Sequence, residues 1–465
     1  MSNKNVCIVG AGIGGLTIGA LLSKQGFNVT IFEKEPLIGG RAISIDMASL
    51  TFKNYRDLLK RFNMNISFSE PPLETIFQKN MFHGYRLDLG YHLIGGGIIY
   101  NLSSILSIPK NHLNILESKL YEQKNSHFDF FVTNIEKVKM LPRILQLLLS
   151  GEKTMKKLDG VTMSETIGKY GTGKTKVVLE VNSRLITTVN NLDKISTGEV
   201  FRTQKNMRLR GVRYPKKGLS NITQKLADFI EKNGGKNYLN SKVEKIIIEN
   251  KKAKGVIVNG EESLFDIVIS NVVVQNLFKI ADEKQFPKKY VNNIKTLYGT
   301  GSLCAYYSFN KIQPELLNKT FIFIERDAGI DGKDAVGMID FMAASPESGL
   351  APKSQHLVQS YIICTPEEAK NKKILENLKK LLDKNLERII PDYHSNLNWA
   401  IYPAIWHLDG VAKTIDNKKP EIESPVENLY LVGDCVKAPG IGINCAINSA
   451  QILKDIIESK QKETI

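Results

Sequence analysis

Near the start of the chain, Gly10-Ala11-Gly12-Ile13-Gly14-Gly15 has the residue types and spacing to bind a diphosphate, and an acid, Glu33, follows. Each glycine has its own task. Gly10 permits a tight turn, Gly12 lets the backbone approach a pyrophosphate, and Gly15 lets the next helix pack on the preceding strand. The first N–H groups of that helix then face the anion. Glu33 stands where a carboxylate accepts a hydrogen bond from a ribose 2′-hydroxyl.

The flanking segments are the elements such a loop needs. Residues 5–9 (NVCIV) read as a buried parallel strand, Leu16–Lys24 as a helix that Gly26 stops, and Asn28–Phe32 as a second strand ending at Glu33. This βαβ unit alone does not separate NAD from FAD. Behind the acid, Lys34 leads to a second glycine pair, Gly39-Gly40, and to Arg41, which suits neutralising a diphosphate or lying near a flavin ring.

The other end of the chain decides between the cofactors. Asn428–Val432 is a short apolar strand running into Gly433-Asp434, and a carboxylate there suits the ribityl hydroxyls of FAD, which NAD lacks. Pro439-Gly440-Ile441-Gly442-Ile443-Asn444 then opens a helix predicted over Cys445–Ile457. Its first amides would stabilise negative charge on the N1–O2 edge of a reduced flavin. The reading is one FAD held in a Rossmann-type fold whose cofactor-binding pieces lie at opposite ends of the chain. Cys435 and Cys445 read as small residues at a tight turn, not as a covalent flavin link.

Composition narrows the class. With 465 residues and 42% hydrophobic content the chain can bury large cores, and two interleaved domains are expected. Its five cysteines are scattered without a C-x-x-C pair, which fits a reducing cytosol and neither a disulfide framework nor a metal site. The net charge of +15 is spread along the chain as lysine, with no basic and aromatic cluster, so nucleic acid is not an expected partner. The start of the chain passes directly into the first strand, so no secretory leader is expected.

Six blocks resemble the phytoene desaturase and carotenoid isomerase branch of the FAD-dependent amine oxidase superfamily. They are VGAGIGGL (9–16), FEKEPLIGGRA (32–42), GYRLDLGYHL (84–93), a long block over 214–249, FDIVISN (265–271) and NLYLVGDCVKAPGIGINCAINSAQIL (428–453). The resemblance implies an α/β Rossmann-type FAD-binding fold with an interleaved α+β substrate domain. The cofactor domain is expected over 1–93, 210–275 and 420–465, and the substrate domain over 94–209 and 276–419. Through it Val243 is expected to contact the adenine by its backbone. The full cofactor set is then Gly10, Gly12, Ile13, Gly14, Gly15, Glu33, Lys34, Gly40, Arg41, Val243, Gly433, Asp434, Gly442 and Ile443. The stretch 43–81 is longer than the family pattern, so the substrate region is expected to be built differently.

The expected activity is desaturation, saturation or isomerisation of a lipophilic, isoprenoid substrate by hydride transfer with flavin N5. A soluble amine oxidase and a flavin-bound protein without turnover are the alternatives. Candidates for a proton-accepting group are His92, Asp340, His407 and Asp409, and none is assigned a catalytic role. Trp399, Tyr402 and Trp406 read as core packing, although an amine oxidase would use aromatic walls. No second dinucleotide unit is visible, so the electron acceptor is not specified. Residues 135–157, around the apolar run Met140–Leu149 with lysines at both ends, are expected to touch an anionic membrane; the alternative is a core helix of the substrate domain.

Overall fold

The computed structural model describes residues 4–124, 127–130, 151–207 and 212–463. Asn5–Val9 and Asn28–Phe32 pair in parallel from Asn5 opposite Asn28 to Val9 opposite Phe32. The helix between them is Ile13–Lys24, starting three residues before the predicted Leu16 because Gly14 and Gly15 form part of its first turn. It ends as expected, with the N–H groups of Gln25 and Gly26 returning to the carbonyls of Leu22 and Ser23.

Three strands from distant parts of the chain complete this sheet. Lys236–Tyr238 pairs with Asn28–Phe32, Ile267–Ser270 with Asn5–Val9, and Leu429–Leu431 with Ile267–Ser270, all in parallel. The architecture is therefore a parallel, Rossmann-type α/β sheet assembled from both ends of the chain. Helices Ser220–Lys232 and Gly442–Glu463 pack beside Ile13–Lys24. A Cβ at Gly19 would stand 2.9 Å from Ile230 Cδ1 and 3.0 Å from Ile31 Cδ1, so the missing side chain sets how closely helix and sheet approach.

The second layer is a ten-stranded mixed sheet among the described residues. Its centre is Gly301–Phe309, buried along its whole length. Strand side chains alternate between faces, and the two faces feed different cores. Tyr306, Met338, Tyr361 and Ile405 pack with Leu89 and Tyr91 on the side toward the cofactor sheet. Leu303, Tyr307 and Ile362 face the opposite way, onto Leu375, Leu378, Leu382 and Leu386 of the amphipathic helix Lys372–Ile389.

The borders between the two units differ from the sequence reading. Met64–Glu70, within the segment expected in the cofactor domain, is an edge strand of the large sheet and pairs antiparallel with Leu397–Ile405. Conversely, helix Ile98–Leu106 and the residues from Val274 to Leu297 share the core of the parallel sheet. The chain crosses between layers several times, and each short amphipathic segment joins whichever core covers its apolar side. Met140–Leu149 lies outside the described residues. No helix among the described residues is long and apolar enough to cross a membrane.

Candidate functional site

The glycine loop is shaped by close approach. Gly10 has φ +100°, and a Cβ on Gly15 would lie 2.3 Å from the Gly10 carbonyl oxygen, so helix and strand can meet only with glycine there. At Gly12 the geometry adds a further reason for glycine. A Cβ would meet Asn271 Nδ2 at 2.6 Å, so a side chain at position 12 collides first with Asn271. Asn271 donates from Nδ2 to the Gly10 carbonyl at 3.3 Å, and its Oδ1 would lie 3.3 Å from a Cβ on Gly433. It stands between the glycine turn and Gly433. The sequence reading did not single it out; the available signal was its place just past the carboxyl end of Ile267–Ser270, where ligands bind in parallel sheets.

Gly12 caps helix Ile13–Lys24 without a side-chain hydrogen bond, and no acid lies in its first turn, which contains Ile13, Gly14 and Gly15. Helix Gly442–Glu463 also has no acid in its first turn. Both positive helix ends are thus left for charge supplied from outside the chain, as FAD would supply with its pyrophosphate and its reduced ring. The residues present fit that cofactor.

Glu33 is buried and already carries two backbone bonds, from the Ala11 N–H at 2.8 Å and the Glu35 N–H at 2.9 Å. Burial raises its pKa and the Glu35 and Ala11 amides oppose the shift, leaving it above the usual value. A carboxylate accepts about four hydrogen bonds, so lone pairs remain for a ribose. The Ser241 N–H donates to the Glu33 carbonyl at 2.8 Å, which brings the chain leading to Val243 alongside. Val243 itself is buried. Lys34 is exposed and pairs with Glu35 at 3.4 Å.

The second glycine turn lies on the first. Gly39 N–H donates to the Ala11 carbonyl at 2.8 Å, and a Cβ on Gly40 would stand 3.3 Å from Gly12 Cα. From this turn Arg41 reaches the far end of the chain. Its Nη2 donates to both oxygens of Asp434 at 2.7 Å, and its Nη1 donates to the His407 carbonyl at 3.0 Å. Gly410 N–H adds a third bond to Asp434 at 2.9 Å. Burial resists ionisation of Asp434, but Arg41 and then Lys419 hold its carboxyl well below the usual range. The arginine, read from sequence as a partner of the diphosphate or the ring, is engaged with the carboxylate read as the ribityl acceptor.

Next to this latch stand two histidines. His92 and His407 line a small cleft with Arg41, Leu89, Ile405 and Leu408. Burial pushes His92 down to about 4, and His407 is lowered by burial and then by Arg41, so both rings are neutral near pH 7. His407 Nδ1 is buried without a hydrogen-bond partner among the described residues. Asp409 is spent elsewhere, in a buried ion pair with Lys413 at 3.1 Å. Asp340 lies in the large sheet, where Thr320 donates to it at 2.7 Å.

The aromatic residues do not converge. Trp399 packs edge-on against Phe82 and Tyr85, each at 4.9 Å, whereas Tyr402 lies on the opposite face and donates to Asp383 at 2.7 Å. Residues 399 and 402 differ by an odd number along one strand, which sends them to opposite faces. Trp406 donates to the Ala369 carbonyl at 3.1 Å. At the carboxyl-terminal turn, Gly433 has φ +129° and its N–H donates to Ser449 Oγ at 2.9 Å. Beside Gly442 and Ile443, Asn444 Oδ1 accepts the Gly95 N–H at 3.1 Å and ties the helix start to the 94–97 turn. The Cys445 thiol is buried among backbone carbonyls, 3.3 Å from that of Ala438.

Comparison with known proteins agrees with this geometry. Residues 8–62 match an NAD(P)-binding Rossmann-like domain. A 4,4'-diapophytoene desaturase (4,4'-diapolycopene-forming) of Methylomonas sp is 25% identical, covering 99% of this chain and 96% of the relative. The 4,4'-diaponeurosporene-forming enzyme of Staphylococcus haemolyticus is 24% identical over 98% and 100% of the two chains. The crystal structure of an oxidoreductase from Methanosarcina mazei superposes with a TM-score of 0.67 at 22% identity, covering 97% of this chain and all of that one. Residues 177–452 match the flavin containing amine oxidoreductase family. The chain belongs to that family and is an FAD-dependent oxidoreductase.

Proposed function

We propose that this enzyme desaturates, saturates or isomerises a lipophilic, isoprenoid substrate. The observation that carries this reading is the near full-length similarity to two enzymes named for diapophytoene. The site is compatible with it: Leu89 and Ile405, which line the cleft with Arg41 and His92, belong to a buried apolar cluster that also holds Tyr91, Met338, Tyr361 and Ile401. A flavin-flanking cage for a soluble amine finds no support in Trp399 and Tyr402, which face opposite ways.

FAD, when bound, supplies a two-electron hydride acceptor. In our reading the amides of Ile13, Gly14 and Gly15 hold its pyrophosphate, with Gly10 and Gly12 shaping the turn. Glu33 would accept from the adenosine ribose, Val243 and the exposed Lys34 would border that end, and Asp434 would accept from the ribityl chain. Gly40 lets the second turn close over the first, and Arg41 braces Asp434 from there. Gly442 and Ile443 would offer helix-start amides to the flavin ring, and Gly433 would permit the turn that leads to Asp434. A neutral His92 or His407 can accept a proton from the substrate carbon next to the one that loses hydride. Membrane contact through 135–157 belongs to the same proposal, since it would deliver a lipid to the site.

The test is anaerobic flavin bleaching. The FAD-reconstituted protein is mixed in turn with a linear C30 isoprenoid polyene in mixed micelles and with putrescine, and the photoreduced protein with a more unsaturated polyene. Bleaching by the first polyene, or reoxidation by the second, supports the proposal. Bleaching by putrescine alone overturns it. Oxygen, a quinone and NADP added separately to the reduced protein identify the acceptor.

A further inference from the structure

One row of the large sheet carries polar groups that the fold leaves unanswered. Asp340 and Gln359 are directly opposite on antiparallel strands, and Gln359 is directly opposite Tyr306 on its other side. Cross-strand partners project from the same face, so these side chains point where Tyr306 points. That direction is toward the cofactor layer, because the Tyr306 hydroxyl donates to the carbonyls of Asp88 at 2.8 Å and Gly90 at 2.7 Å. The residue after Gly90 packs on the same face one row away: Tyr91 stacks at 4.5 Å on Tyr361, which is opposite Met338 and Cys304.

Among the described residues, four atoms here have no hydrogen-bond partner of good geometry: Gln359 Oε1 and Nε2, Asp340 Oδ2, and the Tyr91 hydroxyl, with the Tyr214 hydroxyl near Gln359 and the Met342 and Ala343 amides near Asp340. Gln359 and Asp340 are fully buried and Tyr91 is 6% exposed. Native interiors pair nearly all such groups, so one nest holding four orphans calls for a missing partner. Neighbours with a purely architectural task are paired. Tyr214 donates to Asp88 at 2.5 Å and Ser360 to the Met338 carbonyl at 2.8 Å.

We propose that Gln359, Asp340 and Tyr91 form a buried subsite that receives an uncharged hydroxyl or carbonyl group of the substrate, making the substrate an oxygenated isoprenoid rather than a pure hydrocarbon. This rests on the lipid-substrate reading above and specifies its class. The chemistry fits a neutral ligand. An amide offers two donors and an acceptor, and a phenol offers one of each. Burial pushes the Asp340 carboxyl up to about 7, so its protonated form is available to donate near neutrality. The other acid nearby, Asp88, is engaged by Ser44 and Tyr214. The subsite also adjoins the redox site, because Tyr91 turns to the sheet while His92, the next residue, lines the cleft with Arg41.

The experiment titrates FAD-reconstituted protein in detergent with all-trans-geranylgeraniol, with the C20 alkene of the same skeleton, and with geranylgeranylamine, reading flavin fluorescence. The expected result is an alcohol Kd roughly tenfold below that of the alkene. Gln359→Leu and Tyr91→Phe should each move that ratio toward one. Gln359→Leu should also melt no lower than the parent, since it removes two orphaned atoms, whereas a glutamine with a structural task would lower the melting temperature. Tyr91→Phe keeps the test open if the leucine variant misfolds. Equal binding of alcohol and alkene, or a ratio unmoved by both variants, overturns the subsite and leaves the lipid reading standing. Tighter binding of the amine also overturns it. If neither the alcohol nor the alkene perturbs the flavin, the lipid reading fails and the subsite fails with it.

Discussion

Replacing Asp434 by alanine separates two roles that one carboxylate holds. From sequence alone the residue is a free ribityl acceptor, and its loss should release FAD from an otherwise intact fold. The structure adds a second consequence. The substitution strips the acceptor from Arg41 Nη2, 2.7 Å from each oxygen, and from the Gly410 N–H at 2.9 Å. The side chains of Arg41 and Asp434 are 27% and 8% exposed. Breaking a fully buried pair costs roughly 3–5 kcal/mol. Water reaching the exposed part of the guanidinium lowers that to about 2–3 kcal/mol, and the orphaned Gly410 amide adds about 1 kcal/mol. We expect Asp434→Ala to destabilise the protein by about 3–4 kcal/mol, read from urea unfolding of the FAD-free form so that ligand linkage does not enter. A cycle with Arg41→Met isolates the pair and should give a coupling above about 1 kcal/mol. A loss below about 1 kcal/mol with an additive cycle would refute the latch, and Asp434 would then be a cofactor ligand only.

Three further outcomes follow from the same structure. Gly15→Ala places a methyl 2.3 Å from the Gly10 carbonyl oxygen and should cost about 1–3 kcal/mol with loss of FAD, whereas Gly160→Ala, with nothing within 4 Å, should leave urea midpoint and flavin content unchanged. His92 has a folded pKa of about 4, below its ordinary value of about 6.5, so the unfolded chain binds the extra proton first. Its contribution to stability is complete above pH 6.5 and is lost as pH falls through 4, and His92→Gln should flatten that limb of the stability profile; an unchanged acid limb means the ring is solvated. Replacing Leu145 and Leu148 by serine should reduce sedimentation with anionic liposomes while the melting temperature holds; a sharp drop in melting temperature instead marks a core helix, since each truncated buried leucine costs about 2–5 kcal/mol.

The cofactor layer was legible in the sequence because its rules are local. A strand, a glycine turn, a helix and an acid within thirty-odd residues imply one another through backbone sterics and helix-end charge, and the observed strands and helices follow that reading with end shifts of a few residues. Helix Ser220–Lys232 follows the same local logic, its apolar residues recurring with a 3.6-residue period. What the sequence could not reveal are the contacts closed over long separations. Arg41 and Asp434 are 393 residues apart, and nothing local marks them as partners. Asn271 acquires its place only when the ends of the parallel strands come together. The assignment of Met64–Glu70 to the large sheet depended on which neighbouring edge could complete its backbone hydrogen bonds, and Leu397–Ile405 supplied it. The pairing of Asp340 with Gln359 likewise comes from the register between strands. The sequence named Asp340 only as a candidate base and marked nothing at Gln359, and only burial on one face beside Tyr91 makes them a group. Local sterics determined the cofactor; the long-range pairing of strands and charges decided the site around it.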